Sequence, residues 1–425
     1  MSEKMLFNRR QLLSATARLS ALASFGALAS SLPAFAASTA GAAQQAFIDS
    51  IVAKGLAPGA VMAMGEGDSR PQFASAGKLA FDGATAVDGD TLWRIYSQTK
   101  PITGIAAMML IGEGKLKLDQ PVADFIPAFG QMRVLVDPDH SLEARPATQT
   151  MTIRHLLTHT AGLGYTSVLN KGPLVDEYRR LGLTAGRTSR SEALEPGRVP
   201  TAPSLAEFAK RLATMPLIAE PGTKWSYSCA LDLLARIIEI ASGAPFDEFL
   251  ARRLFVPLGM NSTYFRVPDS ERGRLATSYQ LDGQTLSVLD PGPTSIFFDP
   301  PAFPFGGSGL VSSARDYDRF LAMLANRGTF NGTRILAPET AMLGMSNLLP
   351  EGVDITMLKQ ISMGGHGFGA GGSVELTGPA KGAFGWIGAA GTAGQANPVN
   401  GRRASGYINV MGQFALAAEV TKAIA

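Results

Sequence analysis

Ser97-Gln98-Thr99-Lys100 sets a hydroxyl and an amine three positions apart. Residues i and i+3 of a helix share a face, so a helix starting here would bring the two side chains together. A serine hydroxyl is a weak nucleophile until a neighbouring base takes its proton, and a lysine one turn away can supply or relay that base. The chemistry implied is nucleophilic catalysis by Ser97. An isolated match is also compatible with a solvated helix start, so the surroundings must decide.

Thr91 to Tyr96 reads as a short extended run leading into Ser97. Ile102, Ile105, Ala106, Met109 and Leu110 recur at helical spacing and predict a buried helix over 98–111, ended by Gly112 and Gly114. Pro101 fits only in the first turn, where a backbone N–H needs no intrahelical partner. Ser97 therefore sits at or next to a helix N-terminus. Free N–H groups and the positive dipole end there favour a developing oxyanion.

The elements around this centre are legible more coarsely. A helix from Gln45 to Lys54 and a strand over Gly59–Met64 precede it. Residues 130–215 are irregular and rich in Pro, Gly, Arg and Thr, and 165–200 reads as a long, polar, partly mobile insertion bordering a site. Two helices, over 230–241 and 245–254, follow the Pro221-Gly222 turn. Ser313 with Asp316 opens a helix to about Asn326. Near the C-terminus, Gly382–Thr392 reads as one strand, 395–401 as a hairpin loop and Tyr407–Gly412 as the returning strand, before a helix from Phe414.

The first 36 residues read as a targeting segment. Asn8-Arg9-Arg10-Gln11-Leu12-Leu13 is a twin-arginine pattern, an apolar stretch runs from Leu19 to Leu32, and Ala34-Phe35-Ala36 offers small-x-small cleavage. The expectation is export to the periplasm without a permanent membrane anchor. Loss of Lys4, Arg9, Arg10 and Arg18 against Glu3 lowers the net charge from +3 to zero. Nothing in that balance points to nucleic acid or an anionic membrane. The mature part, 37–425, suits one large enzyme fold or two lobes. Cys229 is the single cysteine, which excludes an internal disulfide, and four histidines (His140, His155, His159, His366) argue against a histidine-rich metal site.

Taken together, five stretches in order resemble the serine β-lactamase and penicillin-binding-protein superfamily, most closely the class C β-lactamases and family VIII carboxylesterases. They are Tyr96-Ser97-Gln98-Thr99-Lys100, His155 to Leu163, Pro221 to Ser228, Gly307 to Asp316 and Trp386 to Thr392. The resemblance spans residues 45–420. It implies an α/β (α+β) fold, an antiparallel sheet flanked by helices and built from both ends of the chain. A mostly helical lobe over roughly 125–305 would be inserted in it. It also implies that Tyr227 and Lys100 together activate Ser97, Tyr227 later returning the proton to the leaving group. The oxyanion would be held by the backbone N–H groups of Ser97 and Ala389, with Gly388 allowing close approach and Trp386 forming an apolar wall.

Two departures bear on substrate. The third residue of the family's Tyr-x-Asn motif is Cys229, a weak hydrogen-bonding group where an amide would hold a substrate amide. Trp386-Ile387-Gly388 stands where lactamases and transpeptidases carry Lys-Thr-Gly, which removes a cation for a substrate carboxylate. Both favour small neutral esters over β-lactams or D-Ala peptides, the alternative substrates. A non-catalytic homologue of the fold is the third reading. No cofactor or metal is required: His155 and His159 have the i, i+4 spacing of paired zinc ligands, but no Glu lies between them and Gly162 ends the helix. Cys229 reads as a small buried residue, Met108-Met109 as core, Phe297-Phe298 as pocket wall and His366 as packed in a turn. Oligomeric state stays open.

Overall fold

The computed structural model describes residues 35–166, 172–184, 186–191, 200–283, 285–361 and 366–425. The twin-arginine pattern lies outside the described residues, as do 167–171 and 192–199 of the insertion.

The core is a seven-stranded antiparallel sheet. Its strands are β1 (Gly59–Glu66), β2 (Gln72–Gly77), β3 (Gly367–Phe368), β4 (Ser373–Val374), β5 (Phe384–Gly388), β6 (Thr392–Ala396) and β7 (Arg402–Tyr407). They lie side by side in the order β3-β4-β5-β6-β7-β1-β2. Antiparallel pairing of β1 with β7, Val61 opposite Tyr407 and Ala63 opposite Ser405, joins the two ends of the chain. Side chains alternate along β1. Val61 and Ala63 face one core, while Ala60 and Met62 face another, which is the period-two pattern of a sheet buried on both faces. Helices α1 (Phe35–Ala53) and α5 (Ala415–Ala423) cover the second face through Ile48, Ile51, Leu416 and Val420. Helices α2 (Thr99–Gly112) and α4 (Ala314–Ala325) cover the first through Ile105, Tyr317 and Phe320. The fold is thus mixed helix and antiparallel sheet, as expected.

Between β2 and α4 the chain forms helices Ile153–Leu157, Pro173–Arg180, Leu205–Leu212, α3 (Ala230–Ser242) and Phe246–Leu250. It also forms the ribbon Ser278–Asp282 with Thr285–Asp290. The described part of the insertion includes regular structure. It carries the amphipathic helix Pro173–Arg180, which buries Leu174, Val175 and Tyr178. Downstream, Arg187 is buried over the Phe297 ring at 4.9 Å and donates to the Ile296 and Asp299 carbonyls. Ser313 Oγ caps α4 by accepting the Asp316 N–H at 3.1 Å, as its spacing predicts.

One expected strand is two. Gly382–Thr392 breaks at Ala389-Ala390-Gly391 into β5 and β6, and the returning strand is β7 rather than Tyr407–Gly412. Gly391 turns the chain at φ +75°, and a Cβ there would lie 2.2 Å from the Gln413 carbonyl oxygen. A close backbone approach therefore sets the turn, which an apolar run does not reveal. Among the described residues no helix is long and apolar enough to cross a membrane.

Candidate active site

Ser97 lies in a single 3-10 turn, Tyr96–Gln98, that runs directly into α2. Tyr96 adopts φ +39°, a left-handed conformation that a bulky residue takes only when its surroundings impose it. Those surroundings are visible. Tyr96 is buried, its ring meets Phe297 edge-on at 6.2 Å, and the preceding Ile95 N–H is held by the Leu310 carbonyl at 3.1 Å. Lys100 follows in the first turn of α2. Lys100 Nζ lies 3.1 Å from Ser97 Oγ. It also donates to the Gly307 carbonyl at 2.7 Å. Ser97 is 9% exposed and Lys100 0%, so the nucleophile meets solvent at its edge while the amine is sealed beneath it.

Tyr227 arrives from the turn before α3. That turn is strapped to the 159–164 segment by Ser226 N–H on the His159 carbonyl at 2.9 Å and Cys229 N–H on the Gly164 carbonyl at 3.2 Å. Lys100 Nζ sits 4.5 Å from the centre of the Tyr227 ring and 5.4 Å from that of Tyr165. A cation over an aromatic face is attracted by the ring quadrupole. The structure therefore brings Ser97, Lys100 and Tyr227 together across 130 residues of chain.

Trp386 does more than line a wall. Its indole Nε1–H donates to Tyr227 Oη at 3.0 Å. It is 4% exposed and packs with Trp225, Tyr227 and Phe368 in one aromatic cluster. Two residues on, Gly388 ends β5 against the nucleophile turn. A Cβ there would lie 2.3 Å from the Ile95 carbonyl oxygen and 2.2 Å from Thr392 Oγ1. Only glycine admits that approach. The Ala389 carbonyl is tied back by the Gly412 N–H at 2.9 Å.

The remaining expectations sort by burial. Cys229 is 1% exposed at the head of α3, and burial, followed by the nearby Asp232 carboxylate, pushes its thiol well up. It packs as a small core residue. Met108 and Met109 are core, and Phe297 and Phe298 are buried behind Tyr96. His366 is exposed rather than packed in a turn. His155 and His159 do not share a helix face. His155 Nδ1 accepts the Thr152 N–H at 3.2 Å, while His159 has left the helix at φ +56°. His159 Nδ1 instead accepts the Ser228 N–H at 3.3 Å, its ring lies 4.7 Å from that of Tyr227, and burial holds it well below its ordinary value, hence neutral. Among the described residues no three His, Cys, Asp or Glu side chains cluster as a metal site.

Asp232 is the functional candidate that the motifs do not announce. It is 0% exposed in the first turn of α3, and its Oδ1 accepts the Gly307 N–H at 2.9 Å. Burial pushes its carboxyl up to about 6, against the pull of the Gly307 N–H and Lys100. A carboxylate inside the apolar run Ala230-Leu231-Asp232-Leu233-Leu234 is the sequence signal that could have found it.

Comparison with known proteins agrees with this architecture. The family description Beta-lactamase matches residues 45–425. The uncharacterized protein MT1414 of Mycobacterium tuberculosis is 36% identical, covering 83% of this chain and 86% of its own. Esterase EstB of Burkholderia gladioli is also 36% identical, over 56% of this chain and 58% of its own length. Among solved structures, EstCE1, described as a hydrolase with promiscuous acyltransferase activity, superposes with a TM-score of 0.73 at 26% identity, covering 91% of this chain and 99% of that one.

Proposed function

We propose, for a chain that belongs to the Beta-lactamase family over residues 45–425, hydrolysis of small neutral esters through an acyl-enzyme on Ser97. Ser97 Oγ attacks the ester carbonyl while its proton passes into the Lys100–Tyr227 pair. The tetrahedral oxyanion is met by the N–H groups of Ser97 and Ala389. Collapse expels the alcohol as Tyr227 returns the proton. Water then attacks the acyl-serine by the same route in reverse, releasing the acid.

The observation that carries the ester reading is the 3.0 Å bond from Trp386 Nε1 to Tyr227 Oη. Where the lactamases and transpeptidases present a lysine, this site presents a neutral indole. That group can polarise Tyr227 but offers no charge to a substrate carboxylate. Burial of Cys229 in place of the motif asparagine works in the same direction. The names of EstB and EstCE1 add support. The twin-arginine pattern supports a periplasmic location for the same activity.

Turnover of p-nitrophenyl butyrate and of nitrocefin, measured side by side, tests the reading. Ester turnover that Ser97→Ala abolishes is the expected result. Preferential nitrocefin turnover would replace it with a β-lactamase. Absence of both, with no labelling of Ser97 by a fluorophosphonate, would make the chain a non-catalytic homologue.

A further inference from the structure

We infer that Asp232 is a positioning residue for Lys100, holding the peptide that binds the lysine head and supplying the anion that keeps this head an ammonium inside the closed site. The inference rests on the reading of Ser97 as nucleophile with Lys100 as its proton partner.

The geometry is a bridge through one peptide unit. Asp232 Oδ1 accepts the Gly307 N–H at 2.9 Å, and the Gly307 carbonyl accepts from Lys100 Nζ at 2.7 Å. The turn that carries this peptide is clamped between two helices. From α2, Thr103 Oγ1 donates to the Gly306 carbonyl at 2.6 Å, and Thr99 Oγ1 accepts the Leu310 N–H at 3.2 Å. From α3 comes Asp232. Side chains are excluded from the contact. A Cβ on Gly306 would lie 2.5 Å from the Leu231 carbonyl oxygen, and one on Gly307 would lie 2.9 Å from Asp232 Oδ2. The glycine pair is therefore explained by how closely the turn lies on α3.

Charge gives the second half of the argument. Lys100 is 0% exposed, and a buried ammonium without a compensating anion is expensive enough to shed its proton instead. Among the described residues Lys100 makes no direct ion pair, and its polar contacts are Ser97 Oγ and the Gly307 carbonyl. Asp232, one peptide away, is the acidic side chain whose field reaches it. Asp232 Oδ2 is buried without a hydrogen-bond partner. The groups facing Asp232 are Lys100 from α2, Tyr165 from the segment after the Ile153–Leu157 helix, and Cys229 from its own turn. Lys100 in turn faces Tyr227, Tyr165 and His159.

Asp232→Asn separates the two roles, because asparagine keeps an oxygen for the Gly307 N–H and removes the charge. The readout is the pH profile of p-nitrophenyl butyrate hydrolysis, normalised to Ser97 labelled by a fluorophosphonate. The expected result is a fall of tenfold or more in kcat/KM per labelled serine. The alkaline limb should also move to lower pH, as the site loses the carboxylate charge that faces Lys100. A profile and rate that match the parent overturn the inference. So does a loss of rate with an unmoved alkaline limb, which assigns Asp232 to the turn alone, or a gain of rate near neutrality. If D232N does not fold, Asp232→Ser is read in the same way. If neither folds, the Nζ resonance of Lys100 in the unmodified protein decides: an ammonium at neutral pH is expected, and a free amine overturns the proposal. A parent protein that is neither labelled at Ser97 nor active on the ester removes the functional reading itself, a failure distinct from these.

Discussion

Replacing Trp386 by phenylalanine separates a proton-handling role from a packing role. The indole Nε1–H donates to Tyr227 Oη at 3.0 Å, and the ring stands among Phe368, Tyr227 and Trp225 with centres 5.2, 5.8 and 6.4 Å away. Phenylalanine keeps an aromatic ring in the cluster and removes the donor. As Tyr227 returns the proton to the leaving alcohol it gathers negative charge, so the lost bond is charge-assisted and contributes about 1.5–3 kcal/mol to the transition state of that step. That converts to a fall in kcat of roughly 10- to 150-fold. The space left by the smaller ring costs stability as well, about 1–3 kcal/mol. Rates must therefore be expressed per Ser97 titrated by fluorophosphonate, at a temperature where both proteins are folded. An apolar wall alone would show itself differently, as a raised KM with kcat unchanged. A W386F protein with kcat within about threefold of the parent refutes the assignment of the indole to Tyr227.

Two further outcomes test the surroundings of the site. Gly388→Ala puts a methyl against the Ile95 carbonyl and Thr392 Oγ1, neither of which can move far; a loss of about 1–3 kcal/mol in stability should accompany a roughly 10- to 100-fold loss of kcat as the Ala389 donor is displaced, and parental kcat per labelled serine would show that Ala389 takes no part. His155 is held down to about 4 from 6.5 by burial, so the fold favours its neutral form. Its contribution is complete above pH 6.5 and is lost as pH falls towards 4, which amounts to about 2 kcal/mol between pH 7 and 5. Urea unfolding should show this loss in the parent and not in His155→Asn, whose side-chain oxygen can still accept the Thr152 N–H. Equal pH dependence in the two proteins would contradict the assignment, since His159 and the carboxylates titrate in both.

How far the fold and site could be read depends on where the information sits in the chain. Ser97 and Lys100 were legible because their relation is local. Three residues of spacing on a helix, with Pro101 confining the helix start, determine that hydroxyl and amine meet. The apolar spacing of α2 is likewise a local periodicity. The cap at Ser313 was readable for the same reason, whereas the antiparallel sheet came from the family resemblance. Tyr227, Trp386 and Gly388 entered through resemblance, as residues of a known pattern, without any statement of what they touch.

What the tertiary structure alone decided are contacts made through backbone or between distant segments. Trp386 donates to a phenol 159 positions away, a contact that its reading as a wall does not contain. The break at Ala389-Ala390-Gly391, which divides one expected strand into a hairpin, follows from the approach of the Gln413 carbonyl. Lys100 is tied to Asp232 through the Gly307 peptide, and a peptide group has no residue-type signature. The physical reason is common to all three. Local sequence sets the dihedral preferences and which faces turn inward, whereas the partner of a buried polar group depends on which distant carbonyl or N–H the completed packing delivers to it.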